Sequence, residues 1–190
     1  MLRSRTQILP LVLIGAGLIL LSLMAFIWLT QSDTPVGTGP QTDEFPSVVP
    51  VPVDYPAPQI RLLDLDGQAV SLADYTGSVV LVNNWAIWCP PCKAEMPVLQ
   101  DYYNDYRQKG FTLIGIEAGE PPAEVAAFVE EYGLSFPIWP DPTQSALVSF
   151  RNSSLPSSYV IDRQGQIRLA WTGPISRAML EKYVTPLLEQ

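Results

Sequence analysis

The sequence predicts an α/β domain, a mixed sheet with helices on both faces, preceded by one N-terminal transmembrane helix. Three observations carry this. Residues 8–29, ILPLVLIGAGLILLSLMAFIWL, hold no charge. Beyond residue 57, short β-branched runs alternate with amphipathic stretches, and a hairpin pattern follows. The only two cysteines, Cys89 and Cys92, stand where one of those apolar runs gives way to a helical pattern.

At about 1.5 Å per residue, a helix over these 22 residues is about 33 Å long, close to the hydrocarbon thickness of a bilayer. Arg3 and Arg5 precede it; Gln31, Ser32 and Asp33 follow. The positive-inside rule puts residues 1–7 in the cytoplasm and everything after residue 29 outside a cell membrane crossed once. A cleaved signal peptide has a shorter apolar region and a small-residue site after it. TQSDTPVGTGP offers no such site, so an uncleaved signal-anchor is expected. Seven prolines fall between residues 30 and 58. They favour extended polyproline geometry, so residues 30–56 are expected to be a linker and 57–190 the domain. The competing reading, a strand over part of residues 47–53, is disfavoured because alternate prolines remove ladder donors.

Within 57–190, QIRLLDLDGQAVSL reads as two short strands about a turn at Asp66-Gly67. LADYTG connects them to SVVLVNNWAI, an unbroken apolar run of the kind that forms a strand buried on both faces. After WCPPC, Met96, Leu99, Tyr103 and Tyr106 recur at helical spacing, and Gly110 ends the helix. FTLIGIEA is the next strand. PPAEVAAFVEEYG is a helix with prolines at its start, Val125, Phe128, Val129 and Tyr132 on one face, and Gly133 at its end. FPIWPD is a short extended piece and TQSALVSF a short helix. LPSSYVID and RQGQIRLAWTG pair as a hairpin turning at Gln164-Gly165. SRAMLEKYVTPLLEQ closes the chain as a helix capped by Ser176.

The whole chain has net charge −8; without Arg3 and Arg5 the remainder carries −10. An acidic surface argues against nucleic acid or anionic lipid as partner.

The cysteine pair has three readings. A structural zinc site takes four ligands. Cys89 and Cys92 supply two, and the chain contains no other cysteine and no histidine; no metal is expected. A structural staple gains from closing a long loop, and this loop is minimal. A redox pair is favoured by position. A helix N-terminus offers unpaired N–H groups and partial positive charge, and both stabilise the reactive thiolate. Pro90 and Pro91 suit a first helical turn. Cys89, at the tip, is expected to be exposed and nucleophilic; Cys92, one turn in, partly buried and resolving.

WAIWCPPCKAEMPVL resembles the active site of the thioredoxin superfamily: tryptophan before C-x-x-C, lysine after it, and a proline, Pro97, five residues past the second cysteine. With DGQAVSLADYTGSVVLVNNWA, GFTLIGIEAGE and LPSSYVIDRQGQI, the chain from about residue 57 resembles the TlpA/ResA-like membrane-anchored thiol-disulfide oxidoreductases. The resemblance implies a thioredoxin-like mixed sheet with no cofactor beyond a redox-active Cys89–Cys92 disulfide. It implies that Leu155-Pro156 is a cis-proline loop facing the cysteines and offering backbone to an extended substrate, and that Pro97 kinks the active-site helix. Glu95 matches a glutamate three residues after the second cysteine, on one helix face with Cys92, where a buried carboxylate exchanges protons; a solvated helix residue is the alternative. Glu120 matches a strand-end acid that lines the groove or is merely an exposed loop acid. Asn83 stands where thioredoxin has a buried aspartate. Trp85 is expected in the sheet, and Trp88 over Cys89 within reach of substrate.

The function expected is extracytoplasmic thiol-disulfide exchange. The reducing direction is favoured: a protein disulfide is the substrate, a membrane-embedded protein the electron donor, and apocytochrome c the substrate that the resemblance suggests. The same pair run in reverse is a disulfide-forming oxidase. A thiol peroxidase and a non-catalytic binding module are the other classes; NNWAIW before Cys89 lacks the proline and threonine of a peroxiredoxin motif.

Overall fold

The structure, a computed structural model, describes Met24 and residues 47–189. Residues 1–7, the expected span 8–29 apart from Met24, and residues 30–46 lie outside the described part. Among the described residues no helix is long and apolar enough to cross a membrane.

Among the described residues, eight strands form two sheets. β1 (Val51–Pro56), β4 (Val79–Trp85), β5 (Phe111–Ala118), β6 (Ile138–Asp141), β7 (Ser157–Ile161) and β8 (Gln166–Thr172) make a six-stranded mixed sheet in the order β1-β8-β7-β4-β5-β6. β2 (Arg61–Leu63) and β3 (Ala69–Ser71) make the small hairpin expected around Gly67. The expected helices form as α1 (Pro90–Tyr106), α2 (Pro122–Tyr132), α3 (Ser145–Phe150) and α4 (Arg177–Tyr183), with a last short α5 (Thr185–Leu188).

β4 is buried at every position, as its unbroken apolar run requires. One core cluster packs α1, α2 and α4 against the sheet through residues such as Leu81, Met96, Leu99, Val125 and Leu180. A second, including Val82, Ile114, Trp139 and Phe150, lies around α3 and the β2–β3 hairpin. The domain therefore has helical layers on both sides, as expected.

The proline-rich linker requires correction. Its last residues are not a tether: β1 pairs antiparallel with β8, Val51 opposite Ala170 and Pro56 opposite Gln166, with a register shift between Pro52 and Tyr55. An edge strand pairs on one side only, so it tolerates prolines that a central strand would not. The contact continues upstream, where the Val48 N–H donates to the Pro174 carbonyl at 3.1 Å and Ser47 Oγ accepts from the Ser176 N–H at 2.9 Å. The domain thus begins before residue 57. The short extended piece expected at FPIWPD is also a sheet strand, β6, parallel to β5.

β4 and β5 are parallel, β5 and β6 are parallel, and β7 is antiparallel to β4. The C-terminal ends of the first three and the N-terminal end of β7 therefore lie at one end of the sheet. β8 runs antiparallel to β7, so the loop after Thr172 arrives there too.

Candidate active site

β4 ends at Trp85, whose buried ring packs on Phe128 with centroids 5.0 Å apart. The chain then turns: the Cys89 N–H donates to the Ala86 carbonyl at 3.1 Å. Cys89 is the N-cap of α1, with Pro90 and Pro91 in its first turn, where a missing N–H costs no helical bond. Cys89 and Cys92 are joined in a disulfide. The Cys92 N–H points at Cys89 Sγ, 3.4 Å away. That donor, with the helix N-terminus behind it, favours negative charge on the Cys89 sulfur after reduction.

The exposure expected of Cys89 is not observed. Cys89 is 4% exposed and Cys92 fully buried, because the capping sulfur turns inward against the first turn. The exposed groups are its neighbours: Trp88, at 62%, and the rings of Pro90 and Pro91. Trp88 presents its indole to solvent beside the disulfide.

Glu95 is fully buried, on the helix turn after Cys92. Its Oε1 accepts from Asn83 Nδ2 at 2.8 Å and its Oε2 from the Ile175 N–H at 3.1 Å. Asn83 Nδ2 also donates to Ser158 Oγ at 2.9 Å. One carboxyl thus joins α1, β4, β7 and the loop after β8. Burial pushes Glu95 up to about 8, against the opposing pull of the two hydrogen bonds. It therefore holds its proton at neutral pH, close to the range in which thiols titrate. The solvated alternative does not apply.

The Leu155-Pro156 bond is cis. Pro156 is buried and its carbonyl accepts from the Gly173 N–H at 2.8 Å. Leu155 packs against the core cluster that contains both cysteines. Pro97 lies inside α1, which continues through it.

Glu120 is half-buried in the loop after β5 and serves through its main chain: its N–H donates to Oε2 of Glu117 at 3.0 Å. Glu117 itself is the acid that sequence reasoning missed. It is fully buried, opposite Trp85 in the parallel register, and its Oε1 accepts from the Ile87 N–H at 3.4 Å. Burial, with Glu120 and Asp141 nearby, raises its pKa. The signal was a lone carboxylate within FTLIGIEA, a run otherwise fit for burial on both faces.

Comparison with known proteins agrees with this geometry. Residues 53–170 match the model of the AhpC/TSA family. The thiol-disulfide oxidoreductase ResA of Geobacillus kaustophilus is 34% identical over 143 residues, 75% of this chain and 82% of that protein. ResA of Geobacillus thermodenitrificans is 34% identical over 134 residues, 70% and 77% of the two chains. Among solved structures, a putative thiol:disulfide interchange protein DsbE from Chlorobium tepidum is similar with a TM-score of 0.67 at 28% identity, covering 71% of this chain and 96% of that one. With its Cys89–Cys92 disulfide set at the junction of β4 and α1, the chain belongs to the AhpC/TSA family and, within that thioredoxin-like group, to the ResA-type thiol-disulfide oxidoreductases.

Proposed function

We propose that the protein is a disulfide reductase, anchored by residues 8–29 with residues 1–7 in the cytoplasm and its domain outside the cell membrane. The observation that carries the direction is Glu95. A strong oxidant of this chemistry is one whose reduced form is stabilised, through a low-pKa thiolate. Here the buried group one turn from Cys92 is a carboxyl whose partners, an amide side chain and a main-chain N–H, are not cations. Protonated at neutral pH, it brings no positive charge to the thiols, and the fraction that ionises opposes thiolate formation; both favour giving up the electrons.

In the reducing direction, the Cys89 thiolate attacks one sulfur of a substrate disulfide. A Cys89–substrate bond forms, the substrate S–S bond breaks, and one substrate thiolate leaves and takes a proton from water. The ionised fraction of Glu95, minor at neutral pH and growing as pH approaches about 8, accepts the Cys92 proton. Cys92 then attacks Cys89 Sγ; the Cys89–Cys92 bond forms as the Cys89–substrate bond breaks, and the second substrate sulfur leaves as a thiolate that takes the proton from Glu95. Two electrons pass to the substrate. A membrane-embedded donor restores the dithiol.

Trp88, Pro90 and Pro91 supply the exposed rim for a protein substrate, and the Leu155-Pro156 loop its second wall. The resemblance to TlpA/ResA-like proteins makes apocytochrome c cysteines the substrate of choice, kept reduced for haem attachment.

The test is the reduction potential of the full-length chain in mild detergent, equilibrated with dithiothreitol or glutathione. A value well below about −200 mV, toward the roughly −270 mV of thioredoxin, supports the reductase. A value near about −120 mV overturns it in favour of a disulfide-forming oxidase.

A further inference from the structure

Glu117 takes no part in the exchange described above, yet it sits under the turn that presents Cys89. Its two carboxyl oxygens face two different loops: Oε1 the Ile87 N–H, at 3.4 Å, and Oε2 the Glu120 N–H, at 3.0 Å. Ile87 lies inside the 86–89 turn, which is closed by the Cys89 N–H on the Ala86 carbonyl. A buried carboxylate is costly unless hydrogen-bonded, and here both of its bonds go to main chain, one in the turn before Cys89 and one in the loop after β5. The charged groups facing it are Glu120, on its own loop, and Asp141, at the end of β6. Asp141 is committed to α3, accepting from the Ala146 N–H at 2.7 Å and from Thr143 and Ser145 hydroxyls. From β4 and the turn, Glu117 meets Trp85 and the Ile87 amide. The local charge is acidic.

We propose that Glu117 is a positioning residue for thiol-disulfide exchange: its carboxyl clamps the turn carrying Trp88 and Cys89 to the loop after β5, and its charge disfavours a thiolate at Cys89. The clamp fits the turn in its disulfide-bonded form. Loosening it, or removing the charge, therefore favours the dithiol. The inference rests on Cys89–Cys92 exchange but holds for either direction of it.

Glu117→Gln preserves the shape and one acceptor, removes the charge, and sets an amide N–H against one of the two main-chain donors. In the full-length chain equilibrated with glutathione, the variant is expected to move about three- to tenfold toward the dithiol, at about 30 mV per tenfold. The pH midpoint of Cys89 alkylation should fall with it. A merely structural role lowers the thermal midpoint of both redox forms alike and moves neither readout. An equilibrium constant and alkylation midpoint equal to those of the unaltered protein overturn the proposal. Should the variant fail to fold, amide hydrogen exchange in the unaltered oxidised protein decides: protection of the Ile87 N–H supports the clamp, and free exchange overturns it. An unaltered protein that neither reduces nor is alkylated at Cys89 would count against the exchange chemistry itself, a separate outcome.

Discussion

At the scale of single residues, the site is a disulfide with one buried carboxyl on the helix turn after it and another bonded to the turn before it. Glu95 makes a prediction with a definite sign. Its pKa in the folded protein is raised from 4.5 to about 8, so the folded state binds this proton more tightly than the unfolded chain. The stabilisation is complete below about pH 4.5, declines as pH rises toward about 8, and is level above, a fall of about 5 kcal/mol at most. Glu95→Gln does not titrate. The difference between its urea midpoints at pH 5 and pH 8 should therefore be smaller than that of the unaltered protein. An equal difference would place the proton elsewhere. The C-x-x-C spacing made Cys89 and Cys92 legible in the sequence, and the resemblance to TlpA/ResA-like proteins singled out Glu95, which helix geometry puts on one face with Cys92. The inward turn of Cys89 was not, because capping geometry depends on where the Cys92 N–H points. Glu117 was missed for a related reason: in a strand buried on both faces, alternation no longer says which side chains meet a loop.

At the scale of elements, strands and helices meet around one close approach. A Cβ on Gly115 would lie 2.7 Å from Ile138 Cδ1 and 3.0 Å from both Phe136 Cε2 and Trp85 Nε1. Gly115 lets β5 lie under Trp85, the last residue of β4 before the active-site turn. Gly115→Ala should cost about 1–3 kcal/mol through overpacking, read as a lower urea midpoint with unchanged slope. An unchanged midpoint would mean that Ile138 and Phe136 yield freely. The helices were legible because their apolar faces recur every three or four residues and glycines close α2 and the turn after α1. The hairpin of β7 and β8 was legible from Gly165, whose φ of 81° suits its turn. β1 was not. Pro50, Pro52 and Pro56 read as polyproline, and only the presence of β8 beside them turns the same extended backbone into a strand.

At the scale of the whole domain, the chain's start matters to its stability. Residues 47–56 cover the β8 edge and bind the loop at 173–176, where Val48 packs against Gly173. A chain beginning at residue 57 should be less stable than one beginning at residue 43 by about 2–4 kcal/mol, from lost apolar burial and ladder bonds. Chemical denaturation of the two checks this, and equal midpoints would make β1 a passive addition. The fold class was legible from the order of elements, whereas this boundary was set by pairing between residues more than a hundred positions apart.

The Glu95 network can also be counted in protons. The chain contains no histidine, so the α-amino group aside, charge changes near neutral pH belong to the thiols and to Glu95. Each exchange moves two electrons, and a group changes the number of protons that travel with them only where its proton affinity differs between the disulfide and dithiol forms. Glu95, raised to about 8 on the helix turn after Cys92, is the group at which that count is to be read.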